Sequence, residues 1–311
     1  MRENDFLSWI GSQTPPHARV PINIGDDMAA VQLPANLALL KIDQCLDQVH
    51  FDLRHHTPAQ AGRKAVNRCL SDCAAMACVP AAILISVALP REGPGSGEGA
   101  AKELFLACRD AAGIFDCPLV GGDTAIWDQR LAITVAAMGT LSEDGTEVRR
   151  SGAKVGDTLF VSGQLGGSIK GRHLSFVPRI ELALKLAKAA GTGAGGGLHA
   201  MMDLSDGLAQ DLPRMCAASG VGAQVYVGQL PIHPDAQEAG DGVPAGLHAL
   251  ADGEDYELLF ALDPEATPEI VNLDSVPVTA IGVVTAERAL KLIDAGGKAH
   301  AWPRAGWEHR T

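Results

Sequence analysis

Apolar residues along this chain fall in short runs separated by polar, glycine-bearing turns, and their spacing switches between period two and period 3.6. In the first half, LALLKID (37–43), ILISVALP (83–90) and LAITVAAMGTL (131–141) predict strands, while 58–78 and the stretch near 98–112 carry helical spacing. The first of these helices has a legible start. Thr57 is a capping residue, Pro58 suits the first helical position, and Gln60 completes a capping box. Pro80 is expected to stop it. A polar connector, RRSGAKVGD (149–157), precedes a second set: DTLFVSG, a helix near 178–190, the AMMDLSDGL strand and helix, GAQVYVGQLP, ELLFALD and PVTAIGVVT. Strands and helices interleaved in this way predict an α/β (α+β) protein of two domains, 1–150 and 151–311.

A chain of 311 residues that is 47% hydrophobic is long enough to build both cores. The longest apolar run, Val79 to Pro90, falls short of the roughly 20 residues of a membrane helix, and MRENDFLSWIGS lacks the basic-then-apolar plan of a secretory signal. Seven cysteines without a CxxC suggest neither a disulfide framework nor a zinc ribbon, so a reducing, cytoplasmic setting is expected. Cys69, Cys73 and Cys78 lie in an Ala-rich helical pattern, where free cysteine packs as a small apolar residue. The net charge of −12 argues against nucleic acid as a partner. It leaves phosphates open, provided that divalent cations lie between the two sets of negative charge.

The acidic residues hold the chemistry. Asp72 is in register with Ala65, Cys69 and Met76, an apolar stripe, and is expected to point inward. Asp43 ends the run LALLKID, Asp123 follows Gly121 and Gly122, and Asp26 and Asp27 follow Gly25; for each, a turn or cap role is the alternative. In MDLSDGLAQDL, Ser205 can cap the following helix with Asp206 in its first turn, whereas Asp203 sits inside the strand-like part with no such role. Glu254 and Asp255 precede a further strand. Acidic segments of this kind, several with an adjacent glycine, suggest oxygen ligands for several hard divalent cations, Mg²⁺ foremost. Gly191, Gly193 and Gly196 spell a dinucleotide fingerprint, but they precede a strand instead of following one, and no GxxxxGK[ST] loop is present.

Taken together, IGDDMAAV, KIDQCLDQVHF, LSDCAAM, GGDT, RSGAKVGD, MDLSDGLAQDL and GEDYEL resemble, in order and spacing, the thiamine-monophosphate kinases of the aminoimidazole ribonucleotide synthetase superfamily. The resemblance spans nearly the whole chain. It implies the two-domain fold of that superfamily, with an N-terminal sheet domain that dimerises, an ATP site beside the interface, and a C-terminal α/β domain. Carried over by residue, it implies that Asp27, Asp43, Asp72, Asp123, Asp203 and Asp206 ligate several Mg²⁺ ions, with Asp43, Asp72, Asp123 and Asp206 at the centre of the chemistry. Gly122, Asp123, Arg150 and Ser205 would lie near ATP, and His50, Glu254 and Trp307 would touch thiamine monophosphate. Trp307 also fits a plain anchor for the C-terminal tail. The implied reaction is direct phosphoryl transfer from ATP to thiamine monophosphate in a cytoplasmic homodimer.

The chain departs from the family pattern at a few places. Lys41 and Ile42 stand where two hydroxyl residues are usual, Gln48 and Asp252 where glycines are usual, and Cys69 where an Asn is usual. Selenophosphate synthetases need a reactive Cys in an N-terminal Gly-rich segment, and the first Cys here is Cys45; hydrogenase-maturation relatives end in a Cys-bearing tail, and this chain ends WEHRT. The ribonucleotide synthetases fit less well at HF after the Asp43 strand and at GEDYEL. The alternatives that stay open are a divergent paralogue with another phosphorylated acceptor and a non-catalytic nucleotide-binding subunit.

Overall fold

The structure, a computed structural model, describes residues 9–20, 31–33, 37–141, 145, 147–266, 273, 275–303 and 305–306, without the side chain of Ala194. The chain divides into two compact units, 1–70 with 79–143, and 71–78 with 144–311. Asp27 and Trp307 lie outside the described residues.

In the first unit the order is β1 (Ala38–Leu46), α1 (Pro58–Ala75, whose end belongs to the second unit), β2 (Val79–Pro90), α2 (Gly97–Gly113), β3 (Leu119–Trp127) and β4 (Ala132–Thr140). The strands form one sheet, β1-β4-β2-β3, antiparallel except for the parallel β2/β3 pair. The expected capping box is present at the start of α1. Thr57 N–H donates to Gln60 Oε1 at 2.8 Å and Gln60 N–H to Thr57 Oγ1 at 3.2 Å.

Two expectations for this unit need correction, and one alternative is ruled out. Pro80 does not stop α1: the helix ends at Ala75, Ala77 turns the chain at φ 51°, and Pro80 lies inside β2. The turn closes when Cys78 N–H reaches back to Cys73 O at 2.9 Å. Asp43 does not end its strand, because Gln44, Cys45 and Leu46 keep pairing with β4 through the Leu46–Ala132 register and Cys45 is buried. Asp123 is in neither a turn nor a cap. It belongs to edge strand β3, where a Cβ on Gly122 would lie 1.9 Å from Ile85 O, so glycine is what lets β3 approach β2. Alternation along β4 buries Ile133, Val135 and Ala137, while Ala132, Thr134, Ala136 and Met138 lie on the other face, only partly buried.

The second unit holds β5 (Thr158–Ser162), α3 (Ile180–Ala190), β6 (Leu198–Asp203), α4 (Leu208–Ser219), β7 (Gly222–Tyr226), α5 (Pro234–Gln237), α6 (Ala245–Ala251), β8 (Leu258–Leu262), β9 (Val278–Thr285), β10 (Leu290–Ile293) and β11 (Ala299–Ala301). Its sheet runs β11-β10-β7-β9-β5-β8-β6. Leu159, Val161, Ala200 and Met202 from the strands meet Leu208, Leu212 and Met215 of α4 in the core. The spacing of apolar residues on α4, three and four apart, is what directs that face inward. β10, β11, α5 and α6 are too short to carry a periodic signal.

Candidate functional site

In the first unit, Asp43 points to the helix-covered face of the sheet and is half-buried. Arg68 of α1 donates through Nε to Asp43 Oδ2 at 3.1 Å. Asp123 lies on the opposite face: its row runs Asp123, Ser86, Thr134, Gln44, while the row of Asp43 runs Val135, Ile85, Gly122. These two expected ligands are therefore not brought together within one unit. His50 closes the turn after β1. Leu46 N–H donates to His50 Nδ1 at 3.0 Å, which leaves the proton of the neutral ring on Nε2. The wholly buried Lys64 donates to His50 O, so both the ring and the backbone of His50 are held.

In the second unit, Asp72, Ala75 and Met76 from the end of α1 line a cavity of about 310 Å³ with Arg149, Arg150, Ser151, Met201 and Met202. This concave site has one carboxylate and two guanidinium residues on its walls, and thioether side chains for an apolar floor. Arg149 O accepts from Met201 N–H at 2.9 Å, which joins the connector to β6. A second brace lies beside it: Asp157 accepts from His199 Nδ1 at 2.9 Å, and Lys154 Nζ lies 2.7 Å from His199 Nε2. Arg150 and Ser151 are thereby carried on a segment tied to the strand that supplies Met201 and Met202.

Asp203, the last residue of β6, is buried and accepts from Ser71 Oγ–H at 2.7 Å. The capping role expected of Ser205 is not found. Gly207, at φ 96°, takes the cap position of α4 with no side-chain cap bond, and Asp206 lies before the helix instead of in its first turn. The reason is a close approach of two loops. A Cβ on Gly207 would lie 3.0 Å from Leu250 O, and one on Gly253 3.0 Å from Ser205 O. Ser205 O accepts from Glu254 N–H at 2.7 Å, so Ser205 and Glu254, expected at ATP and at the acceptor, are neighbours. Arg214 Nη1 donates to Asp206 Oδ2 at 2.5 Å and to the buried Asp211 Oδ1 at 2.7 Å. Burial pushes Asp211 up to about 6, against the pull of the Asp206 amide and Arg214. Burial likewise pushes Asp255 up to about 7, although Arg172 and Gly166 N–H favour its ionised form.

Sequence reasoning missed Ser71, Arg68, Arg149, Arg214 and the methionines of the cavity. Ser71 and Arg149 adjoin residues that had been singled out, so adjacency was the one available signal. Among the described residues, no group of three or more His, Cys, Asp or Glu is placed so as to hold a metal ion by itself. The acidic donors present are all carboxylate oxygens, the chemistry that suits Mg²⁺, an ion commonly held by one or two carboxylates together with substrate phosphates. The chemistry of the individual donors therefore fits that ion, with substrate phosphates to complete its coordination.

Two family models cover the chain. Residues 25–141 match the AIR synthase related protein, N-terminal domain, and residues 139–295 match its C-terminal domain. The fold is thus the two-domain architecture of AIR synthase-related proteins, a four-stranded sheet domain followed by a seven-stranded mixed-sheet domain. Within that class, a thiamine-monophosphate kinase of Rhodopirellula baltica is 36% identical over 93% of this chain and 91% of its own. The chain belongs to the thiamine-monophosphate kinase family. Among solved structures, the thiamine-monophosphate kinase of Stenotrophomonas maltophilia K279a matches with TM-score 0.80 and 28% identity over 96% of this chain and 98% of its own. A complex of AaThiL with AMPPCP and TMP matches with TM-score 0.76 and 27% identity over 100% and 99%. No helix among the described residues is long and apolar enough to cross a membrane.

Proposed function

We propose that this protein transfers the γ-phosphoryl group of ATP to the phosphate of thiamine monophosphate, giving thiamine diphosphate and ADP. The observation that carries the proposal is the end-to-end match to kinases of this name, one of them solved with AMPPCP and TMP. A bond forms between an acceptor phosphate oxygen and the γ-phosphorus, and the bond from that phosphorus to the β–γ bridging oxygen breaks, its electron pair leaving with ADP. The acceptor has a second pKa of about 6, so at neutral pH it is mostly ionised and needs no general base. What the protein supplies is alignment and relief of repulsion between two polyanions.

Arg150 and Ser151, braced on β6, are proposed to face the nucleotide in the cavity that Asp72 lines; Ser205 of the same unit is proposed as a further nucleotide contact, and Gly122 and Asp123 are proposed as nucleotide contacts of the first unit. Asp43, Asp72, Asp123, Asp203, Asp206 and the undescribed Asp27 are proposed to hold Mg²⁺. When bound, Mg²⁺ neutralises phosphate charge and fixes phosphate orientation. His50, with the proton of its neutral ring on Nε2, Glu254 and Trp307 are proposed to meet the acceptor. The expected division at 150 would then assign dimerisation to residues 1–150, whereas the cavity proposed for the nucleotide is built by 72–76, 149–151 and 201–202 of the second unit. The seven cysteines are free and buried, in accord with a cytoplasmic setting.

The test is incubation of pure protein with ATP, MgCl₂ and thiamine monophosphate, with chromatography for thiamine diphosphate. Product that depends on all three supports the assignment; ATP binding without product would shift it to another acceptor or to a binding role.

A further inference from the structure

The turn from Gly253 to Tyr256 takes three residues into the left-handed region, Gly253 at φ 72°, Glu254 at φ 53° and Tyr256 at φ 51°. Glycine enters this region freely, whereas Glu and Tyr do so only where their surroundings over-determine the backbone. Several contacts do this. Glu254 N–H donates to Ser205 O at 2.7 Å and Tyr256 N–H to Leu204 O at 2.8 Å. The Tyr256 ring stacks on Phe176 with centroids 4.0 Å apart and planes 12° from parallel. The buried Asp255 accepts from Gly166 N–H at 3.0 Å and from Arg172 Nη2 at 3.0 Å.

The remaining anchor is Asp252, which stands where the family pattern has glycine. Its own backbone is right-handed, φ −64° and ψ −34°, so a side chain is tolerated there. Asp252 Oδ2 accepts from Gly167 N–H at 2.7 Å, and its carboxylate lies 2.9 Å from His248 Nδ1, whose Nε2 is 3.2 Å from Asp241 Oδ1. Gly166 and Gly167 are both left-handed, at φ 84° and 73°. One of these successive amides is taken by Asp255 and the next by Asp252, so the glycine pair grips the turn at two points on either side of Glu254.

We propose that Asp252 is a positioning residue for Glu254: its hold on Gly167 fixes the strained turn and so the direction in which the Glu254 carboxylate is presented to the acceptor. The proposal rests on the reading of Glu254 as an acceptor contact. Its test is steady-state kinetics of the full chain with Asp252→Ala, Asp252→Asn and Glu254→Gln, together with hydrogen exchange at the Glu254 and Tyr256 amides. Asp252→Ala should raise KM for thiamine monophosphate about tenfold, the effect of losing one charge-assisted hydrogen bond. KM for ATP should be unchanged, and the two amides should exchange faster. Asp252→Asn keeps an acceptor for Gly167 and should recover most of both effects. If Glu254→Gln raises KM for thiamine monophosphate and Asp252→Ala does not, the proposal is overturned. It is equally overturned if both KM values rise together or if exchange is unaffected. If Glu254→Gln changes nothing, the acceptor reading falls, and the exchange rates alone decide whether Asp252 holds the turn.

Discussion

Ser71 donates its hydroxyl proton to Asp203 at 2.7 Å, which joins the LSDC segment at the end of α1 to the end of strand β6. The serine precedes Asp72 of the cavity, and the aspartate follows Met201 and Met202 of the same cavity, so this bond fixes two of its walls to each other. Ser71→Ala would remove this donor from the buried Asp203 carboxylate. The expected loss is about 1–3 kcal/mol, read from urea denaturation. An unchanged midpoint would mean that the bond contributes nothing net.

Nucleotide binding is expected to depend on divalent metal. The aspartates and ATP are both anionic, and Arg149 and Arg150 are the only cationic residues lining the described cavity. Calorimetry with ATP in EDTA should show little or no binding, and Mg²⁺ should restore it. Equal affinity in both conditions would remove the case for a multi-metal site.

The sheet of the first unit should pair with a second copy. Leu40 is 79% exposed, Ile42 67% and Leu84 47%, and the register places all three on one face, with Ile42 and Leu84 on either side of Ala136. Contiguous exposed apolar residues of this kind mark an interface. Alternation also turns the Ile42 side chain away from Asp43, so its apolar character serves this face. Light scattering at micromolar concentration should give a dimer for the wild type and a monomer for Ile42→Glu; a monomeric wild type would contradict the assignment.

Stability should fall as pH rises through the titration of Asp211. Burial raises this group from 3.8 to about 6, so between those values the folded chain holds a proton that the unfolded chain has lost. Stability therefore decreases across that window, by on the order of 2–3 kcal/mol for a single site, and is constant with respect to this group above it. Asp211→Asn should flatten the profile between pH 4 and pH 6 in denaturation experiments. Identical slopes in the two proteins would show that Asp211 titrates near its ordinary value in the native state.

Local signals in the chain were enough for much of the fold. Thr57, Pro58 and Gln60 specify the start of α1 because a capping box involves only residues three apart, and LALLKID and LAITVAAMGTL specify strands because short apolar runs between turn residues suit a strand's length. The acidic segments were legible too, since a carboxylate on an apolar stripe or inside a strand demands a partner. Which partner each one has was decided by tertiary structure alone. Arg68 meets Asp43 across a helix and a strand, Ser71 meets Asp203 across 132 positions of the chain, and Arg149 and Arg150 come to Asp72 through the connector. The end of α1 at Ala75 and the cap of α4 at Gly207 were likewise misjudged, because Ala77 in a left-handed turn and the close approach of Gly207 to Leu250 O depend on what packs against them. Propensity acts within one turn of chain; the energy of satisfying a buried charge or admitting a close backbone contact depends on groups remote in sequence, and only the folded chain brings those groups within range.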